Sequence, residues 1–389
     1  MIPRSLKEIL KKSAQWARVI SIVGPRQSGK TTLAQDTFSD YRYISLEDPT
    51  NREFAKNDPR GFLENAQKNQ VGIILDEFQY VPELLSYIQL IVDQSNRTGY
   101  FVLTGSQNFL ANQAVSQSLA GRVALFTLLP LSFEEIAFEK NNLEYLLLHG
   151  FYPQLYINKN TPLSWYTDYI TTYVERDVRQ LQAISDISLF QNFIKLCAGR
   201  VGQLLNLTSL GNDCGVSHNT ARSWISILEN SYIIFLMQPY FKNFNKRIIK
   251  SPKLYFYDTG LLCNLLSIKT EEQLFSHYAK GSVFESAILG DFLKQYYHHG
   301  QKPDMYFFAD RAHEVDCILE RANNITAIEI KSGKTIQPSF FDSINYFKEI
   351  AGNIKNGYVV YAGDESQKRS YAEVVAWSDA KNLISQTEK

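Results

Sequence analysis

Cysteine is scarce and scattered. Cys197, Cys214, Cys263 and Cys317 are the four in 389 residues, with no Cys-x-x-Cys pair and no regular spacing to histidine, which indicates neither a disulfide framework nor a zinc site. No run approaches eighteen apolar residues, and residues 1–18 are basic and amphipathic where a leader would carry a continuous apolar segment. The expectation is a soluble, cytoplasmic protein with no membrane partner. A dominant charge sign is missing too, since 40 Lys and Arg balance 40 Asp and Glu. That balance argues against a chain coated in basic charge and confines any nucleic-acid surface to a local patch. The length predicts two to four domains.

What is present is a phosphate-binding pattern. Gly24-Pro25-Arg26-Gln27-Ser28-Gly29-Lys30-Thr31-Thr32 follows the apolar, β-branched residues 19–23 and opens a predicted helix over residues 31–37, the strand-loop-helix context of a P-loop. Glycines let such a loop curl until successive backbone N–H groups face phosphate oxygens, and the helix N-terminus adds partial positive charge. The pattern predicts ATP or GTP, bound with Mg2+. Lys30 is expected to reach the β- and γ-phosphates and Thr31 to ligate Mg2+, with the rest of residues 24–32 lining the nucleotide.

Downstream, Val71-Gly72-Ile73-Ile74-Leu75-Asp76-Glu77 reads as a buried strand ending in two carboxylates, a Walker B pattern. Asp76 is expected to hold Mg2+ through a water. Glu77 is expected to orient or deprotonate the attacking water, so that a chain without it binds nucleotide but does not hydrolyse it. Further strands are predicted over residues 41–45, 99–104 and 123–127, with helical stretches between them. The strand between the two motifs and the glutamate after Asp76 resemble the additional-strand class of P-loop ATPases, including AAA-type proteins, more than Ras-like GTPases. That class places a polar γ-phosphate sensor after its fourth strand, and Gln107 or Ser106 is the candidate. Arg122 precedes the last strand and reads either as an arginine finger, in cis or from a neighbouring subunit, or as a surface salt bridge.

From residue 129 to 200 the pattern is helical and aromatic, a lid and connector. Its Glu175-Arg176-Asp177 stretch fits a local ion pair or a nucleotide sensor, with no role assigned. Residues 206–217 and 218–230 then give a short helix, a Gly-containing turn and a second helix, which is helix-turn-helix spacing. Ser217 is expected to cap the second helix, whose exposed face carries His218, Asn219, Arg222 and Ser223 while Trp224, Ile225 and Leu228 face inward. Two strand-like runs, 232–238 and 253–257, flank the basic Lys242, Lys246, Arg247 and Lys250. Together they resemble a winged helix, for which DNA contact through the basic segment 242–253 and a purely protein-protein role both remain open.

The C-terminal third predicts an αβββαβ order: a helix over 283–297, strands over 305–309, 314–320 and 325–331, a helix over 338–350 and a strand over 357–361. Glu329 and Lys331 share one strand face. If residues 321–324 form a four-residue loop, Asp316 falls opposite Glu329; a two-residue loop at 323–324 places it opposite Lys331. In either register the two carboxylates and the lysine share a face, suited to Mg2+ binding and attack on a phosphodiester, with Glu285 as a further ligand. The combination resembles the PD-(D/E)xK restriction-endonuclease-like superfamily, with Val315 in place of the proline before Asp316. Members of that superfamily include both working nucleases and scaffolds without activity.

Gly24 to Thr32, Leu75-Asp76-Glu77, Leu103-Thr104-Gly105-Ser106, Leu119-Ala120-Gly121-Arg122, Lys253-Leu254-Tyr255-Phe256-Tyr257-Asp258-Thr259-Gly260-Leu261 and Ile328-Glu329-Ile330-Lys331-Ser332 also resemble, over nearly the whole chain, a prokaryotic AAA-type ATPase family with a characteristic C-terminal domain of unknown function. The resemblance implies a nucleotide-dependent ATPase with winged-helix and endonuclease-like parts and supplies no substrate. The expected fold is therefore α/β: a P-loop domain with a parallel sheet (1–128), a helical lid (129–200), a winged helix (201–262) and an endonuclease-like αβββαβ domain (263–389). The expected function is ATP hydrolysis coupled to DNA binding or processing, with metal-dependent cleavage as a further step. The alternative is a nucleotide-controlled protein-interaction switch built on an inactive nuclease-like scaffold. An Arg122 acting in trans would require a homo-oligomer.

Overall fold

Five strands of four to six residues pair in parallel: Val19–Gly24 (β1), Arg42–Ser45 (β2), Ile73–Asp76 (β3), Phe101–Ser106 (β4) and Val123–Thr127 (β5), in the order β2-β3-β4-β1-β5. The structure, a computed structural model, describes all residues except 1, 96, 107–117, 137–142, 158–161, 174–183, 185, 241–250, 322–323, 352–353, 370–371 and 386–389. Two compact units make up the chain. One comprises residues 1–131, 230–232 and 296–301, the other 132–229, 233–295 and 302–389. No helix among the described residues is long and apolar enough to cross a membrane.

In the first unit, alternate strand residues leave opposite sheet faces. Ile20, Ile22, Ile74 and Val102 pack with Leu6, Leu10 and Leu33 on one side. On the other, Val19, Ile73, Leu75 and Leu103 pack with Phe62, Leu85 and Ile88. Helices on both faces explain why β1, β3 and β4 are buried along their whole length, whereas the edge strand β2 buries only Ile44. Truncating one such buried Ile or Leu to Ala costs about 2–5 kcal/mol. The helices Pro49–Asn57 and Pro59–Gln67 each start at an Asp-Pro pair. Asp48 Oδ1 accepts from Thr50 N at 2.7 Å and Asp58 Oδ1 from Gly61 N at 2.9 Å, and the proline sits where its missing N–H would have no helical partner anyway. Because the five strands are parallel, their C-terminal ends share one sheet edge, where a doubly wound sheet binds its ligand.

The second unit holds an eight-stranded sheet built from Ile234–Pro239 (β6), Lys253–Phe256 (β7), Met305–Ala309 (β8), Glu314–Arg321 (β9), Asn324–Lys331 (β10), Ile354–Tyr361 (β11), Gln367–Lys368 (β12) and Glu373–Ala376 (β13), in the order β12-β13-β11-β10-β9-β8-β6-β7. Ile325 lies opposite Glu320 and Ile328 opposite Cys317. Of the two registers expected from sequence, this is the one that aligns Asp316 with Glu329. The two strands expected as a wing do pair, antiparallel, but β6 also runs parallel to β8 through Gln238–Tyr306 and Pro239–Phe307, so both extend the C-terminal sheet. Burial drives this placement, since Ile234, Phe235, Met237, Leu254, Tyr255 and Phe256 are all inside.

Helices Leu207–Cys214 and His218–Asn230 flank a three-residue turn in which Gly215 is left-handed (φ 75°). Asn206 Oδ1 accepts from Ser209 N at 3.0 Å, and Ser217 Oγ accepts from Thr220 N at 3.1 Å. Both starts are thus capped by side chains. Asp258, within the Lys253–Leu261 stretch, is a buried hub. It accepts from Tyr166 Oη at 2.6 Å, Phe151 N at 2.7 Å and Leu261 N at 2.8 Å, the last as cap of the helix Thr259–Leu265. A Cβ at position 260 would sit 2.5 Å from the Tyr166 hydroxyl, so only glycine admits this contact. That motif is accounted for by architecture.

Candidate functional site

The loop after β1 is shaped around its own backbone. Gly24 has φ 150°, and a Cβ there would lie 2.2 Å from Leu128 O, so the strand exit passes too close to the end of β5 for any side chain. Gln27 (φ 60°) and Gly29 (φ 93°) are left-handed, and the helix Lys30–Thr37 begins immediately after. Alternation of hands in successive residues turns N–H groups into one concavity. Lys30 is buried, and its Nζ donates to Gly24 O at 3.1 Å and Pro25 O at 2.7 Å, within the loop. Ser28 Oγ is buried with no hydrogen-bond partner among the described residues. An orphaned donor, an inward lysine and a curled backbone that admits only glycine at position 24 fit a polyphosphate.

The two carboxylates at the end of β3 lie beside this loop. Thr31 Oγ1 donates to Asp76 Oδ1 at 3.0 Å and Oδ2 at 3.1 Å, Thr104 Oγ1 donates to Oδ1, and Tyr43 Oη donates to Oδ2 at 2.8 Å. Thr31 and Asp76 are thereby poised to hold one cation between them. Glu77 adopts a left-handed conformation (φ 55°) as the chain turns into Phe78–Tyr80, a cost that folded proteins tolerate mainly at functional positions. Its carboxylate accepts from Gln79 Nε2 and from Ser106 Oγ at 2.9 Å. Burial alone would raise the Glu77 carboxyl, but the Lys30 ammonium, the Gln79 amide, the Arg26 guanidinium and the Ser106 hydroxyl outweigh it and hold the group below its ordinary value. At neutral pH it is a carboxylate able to accept a proton.

Not every expected residue converges here. Arg122 O accepts from Arg18 N and Val19 N, each at 3.1 Å, at the start of β1, whereas the loop lies at the end of that six-residue strand, about 20 Å away at 3.3 Å per residue. Its guanidinium is bound in two places by Asp93, at 2.6 and 2.8 Å, which also takes Arg18. The cis-finger reading is therefore corrected: within its own chain Arg122 makes a surface ion pair at the opposite sheet edge. Gln107, Arg176 and Asp177 lie outside the described residues; Ser106, the other sensor candidate, donates from Oγ to Glu77 at 2.9 Å. Three residues in the site belong to no motif read from the sequence. Gln79 and Tyr43 bind the two carboxylates, and Arg4 donates from Nη1 to Ser28 O and from Nη2 to Leu129 O, both at 2.7 Å. Arg4 holds the loop backbone from behind.

In the second unit Glu285, Asp316, Glu329 and Lys331 gather at the junction of the helix Lys280–His298 with β9 and β10, as expected. They are joined by Lys253, Tyr255 and Glu314. Each carboxylate has a protein partner: Glu285 the Tyr255 hydroxyl and, at 3.8 Å, Lys253; Asp316 Oδ2 accepts from Ile330 N at 2.7 Å; Glu329 Oε1 accepts from Lys331 Nζ at 2.5 Å, while Glu329 Oε2 is buried with no hydrogen-bond partner among the described residues. Among the described residues no three His, Cys, Asp or Glu side chains are arranged to hold a metal ion. Burial first, and the Asp316 charge second, push both Glu285 and Glu329 well up from the ordinary range. Lys253 also departs from expectation. The last residue of the basic segment 242–253, it is buried and ion-paired with Glu314 and Glu285 and so not open to a phosphate, while residues 241–250 lie outside the described residues. On the second helix of the helix-turn-helix, His218, Asn219 and Arg222 are exposed, Ser223 is half-buried, and Trp224, Ile225 and Leu228 are buried.

Parts of this chain are similar to known proteins. Residues 17–137 match the AAA domain family, 140–272 a domain of unknown function (DUF8612) and 280–379 a further one (DUF4143). An uncharacterised protein of Mycobacterium tuberculosis is 29% identical over 346 residues, 86% of this chain and 74% of the relative. One of Methanocaldococcus jannaschii is 23% identical over 331 residues, 77% of this chain and 71% of the relative. Among solved structures, a Walker-type ATPase of Pyrococcus abyssi superposes with a TM-score of 0.46 at 13% identity, covering 68% of this chain and 96% of its own. AMPPCP-bound DnaA of Aquifex aeolicus gives 0.30 at 15%, covering 58% and 85%. The AAA match spans the residues that carry the phosphate loop and the Asp76-Glu77 pair, and supports an AAA-type ATPase.

Proposed function

We propose that the first unit binds and hydrolyses Mg2+·ATP and that its nucleotide state governs DNA binding by the second unit. The observation that carries the hydrolytic part is the meeting of Lys30, Thr31, Asp76 and Glu77 at one sheet edge. Lys30 offsets charge on the β- and γ-phosphates, and Thr31 and Asp76 hold the cation. Mg2+ supplies Lewis-acid neutralisation of the phosphate oxygens when bound. Glu77, held by Gln79 and Ser106, orients the attacking water and accepts its proton.

The DNA part rests on the capped second helix with His218, Asn219 and Arg222 exposed, a geometry suited to a major groove. Its test is binding of labelled duplex at low and high salt, with ATP, ADP or no nucleotide. Affinity that changes with nucleotide and weakens for Arg222→Ala supports the reading, whereas no binding to any DNA at low salt refutes it.

A second reading, a nucleotide-controlled protein-interaction switch, is favoured by Glu285, Asp316 and Glu329 each pairing with a protein neighbour, while the buried, unpartnered Glu329 Oε2 leaves a ligand atom for the nuclease reading. Incubation with single-stranded, duplex and branched DNA in Mg2+ or Mn2+ decides this point. Cleavage that disappears in Asp316→Ala would restore the nuclease expectation, and intact DNA throughout would leave a scaffold.

A further inference from the structure

Three hydroxyls converge on Asp76, and they do not play the same part. Thr31 belongs to the phosphate loop's helix, and its Oγ1 is the group expected to turn towards a cation. Once Thr31 turns, two donors remain. Thr104 lies directly across from Asp76 on β4 and donates to Oδ1; Tyr43 reaches along β2 from the other flank and donates to Oδ2 at 2.8 Å. Strand β3 lies between β2 and β4, so each carboxylate oxygen is pinned from a different neighbouring strand. A carboxylate held by both oxygens keeps its plane fixed, and the partners that orient a metal-binding carboxylate typically tune metal affinity by roughly 10–100-fold.

Tyr43 is suited to this without being a fold anchor. It sits on the edge strand with 38% of its surface exposed, while its hydroxyl is aimed inward at the carboxylate. An exposed ring contributes little to the core, so the position of the hydroxyl is its distinguishing feature.

We propose that Tyr43 is a positioning residue for the cation-holding carboxylate of Asp76, setting the affinity of the site for Mg2+ and not for the nucleotide itself. The inference rests on the ATP reading above.

The test compares the parent with Tyr43→Phe in binding a fluorescent ATP analogue, first in EDTA and then across a Mg2+ titration, beside the melting temperature without nucleotide. The expected result is a Mg2+ midpoint raised roughly tenfold, with affinity in EDTA within a factor of two and an unchanged melting temperature. An unchanged midpoint would overturn the proposal. So would an equal loss of affinity in EDTA, which would make Tyr43 a nucleotide contact, or a lowered melting temperature, which would make it a strand anchor. Failure of the parent to bind the analogue in either condition would instead refute the ATP reading, and this inference with it.

Discussion

Thr31 Oγ1 donates to both carboxylate oxygens of Asp76, at 3.0 and 3.1 Å, across 45 residues of sequence. A hydroxyl at the first turn of one helix and a carboxylate at the end of a strand meet because β1 and β3 are parallel, each ending at the same sheet edge on either side of β4. In the proposed ATP site the pair would be the cation end and Lys30 the phosphate end.

Lys30→Ala removes a buried ammonium and leaves the Gly24 and Pro25 carbonyls without their donor. Tight ATP binding is expected to be lost, with at least a hundredfold rise in Kd by calorimetry. Binding within a factor of three of the parent would remove Lys30 from the phosphate site.

Glu77→Gln keeps the shape and the Ser106 contact but cannot take a proton. Nucleotide should bind with Kd within threefold while turnover falls by at least a hundredfold. Gln79→Leu, which frees the Glu77 carboxylate from its amide donor, should lower kcat by roughly tenfold with KM preserved. Turnover by Glu77→Gln equal to the parent's would end the water-orienting role.

Arg122→Ala breaks an exposed ion pair with Asp93 at the sheet edge remote from the loop. ATP turnover by dilute protein should remain within a factor of two. A loss of a hundredfold or more, together with recovery on mixing Arg122→Ala with Lys30→Ala protein, would mean that Arg122 completes a neighbouring subunit's site.

Burial pushes the Asp291 carboxyl up to about 6, against the opposing pull of Lys294 and the Phe133 N–H. The folded chain therefore holds this proton more tightly than the unfolded chain does. Its contribution to stability is full below about pH 4 and is lost as pH rises through about 6, a loss of about 3 kcal/mol. Asp291→Asn can keep the acceptor for Phe133 N, at 2.7 Å in the parent, and does not titrate. Denaturant unfolding should find it equal to the parent near pH 4 and more stable at pH 7. A variant less stable at pH 7 would show that the ionised form is the one the fold requires.

The strands were readable because burial imposes local patterns. Residues 19–23, 71–76 and 99–104 are apolar on both faces, as a covered parallel sheet demands. Those over 314–320 and 325–331 lay within a residue or two of β9 and β10. Placement of Lys30, Thr31, Asp76 and Glu77 together followed from two short motifs whose spacing is set by the backbone. Arg4, Tyr43 and Gln79 carried no such signal. Each acts by hydrogen bonds to residues brought near by folding, and an arginine, tyrosine or glutamine outside a motif looks like any surface side chain. Lys253 shows the converse: four basic residues precede it in the segment 242–253, but as the first residue of β7 it is buried, where Glu285 and Glu314 compensate its charge.

The chain's local order thus determined a parallel α/β unit with a phosphate loop and a paired-carboxylate strand, since hydrophobic periodicity and glycine-permitted backbone angles act over a few residues. Tertiary structure alone decided that β6 and β7 extend the C-terminal sheet, that Arg122 lies away from its own chain's loop, and that Tyr43 and Thr104 grip Asp76 from opposite flanks. Those outcomes depend on which strands become neighbours, and that is settled by the joint burial of surfaces distant in sequence.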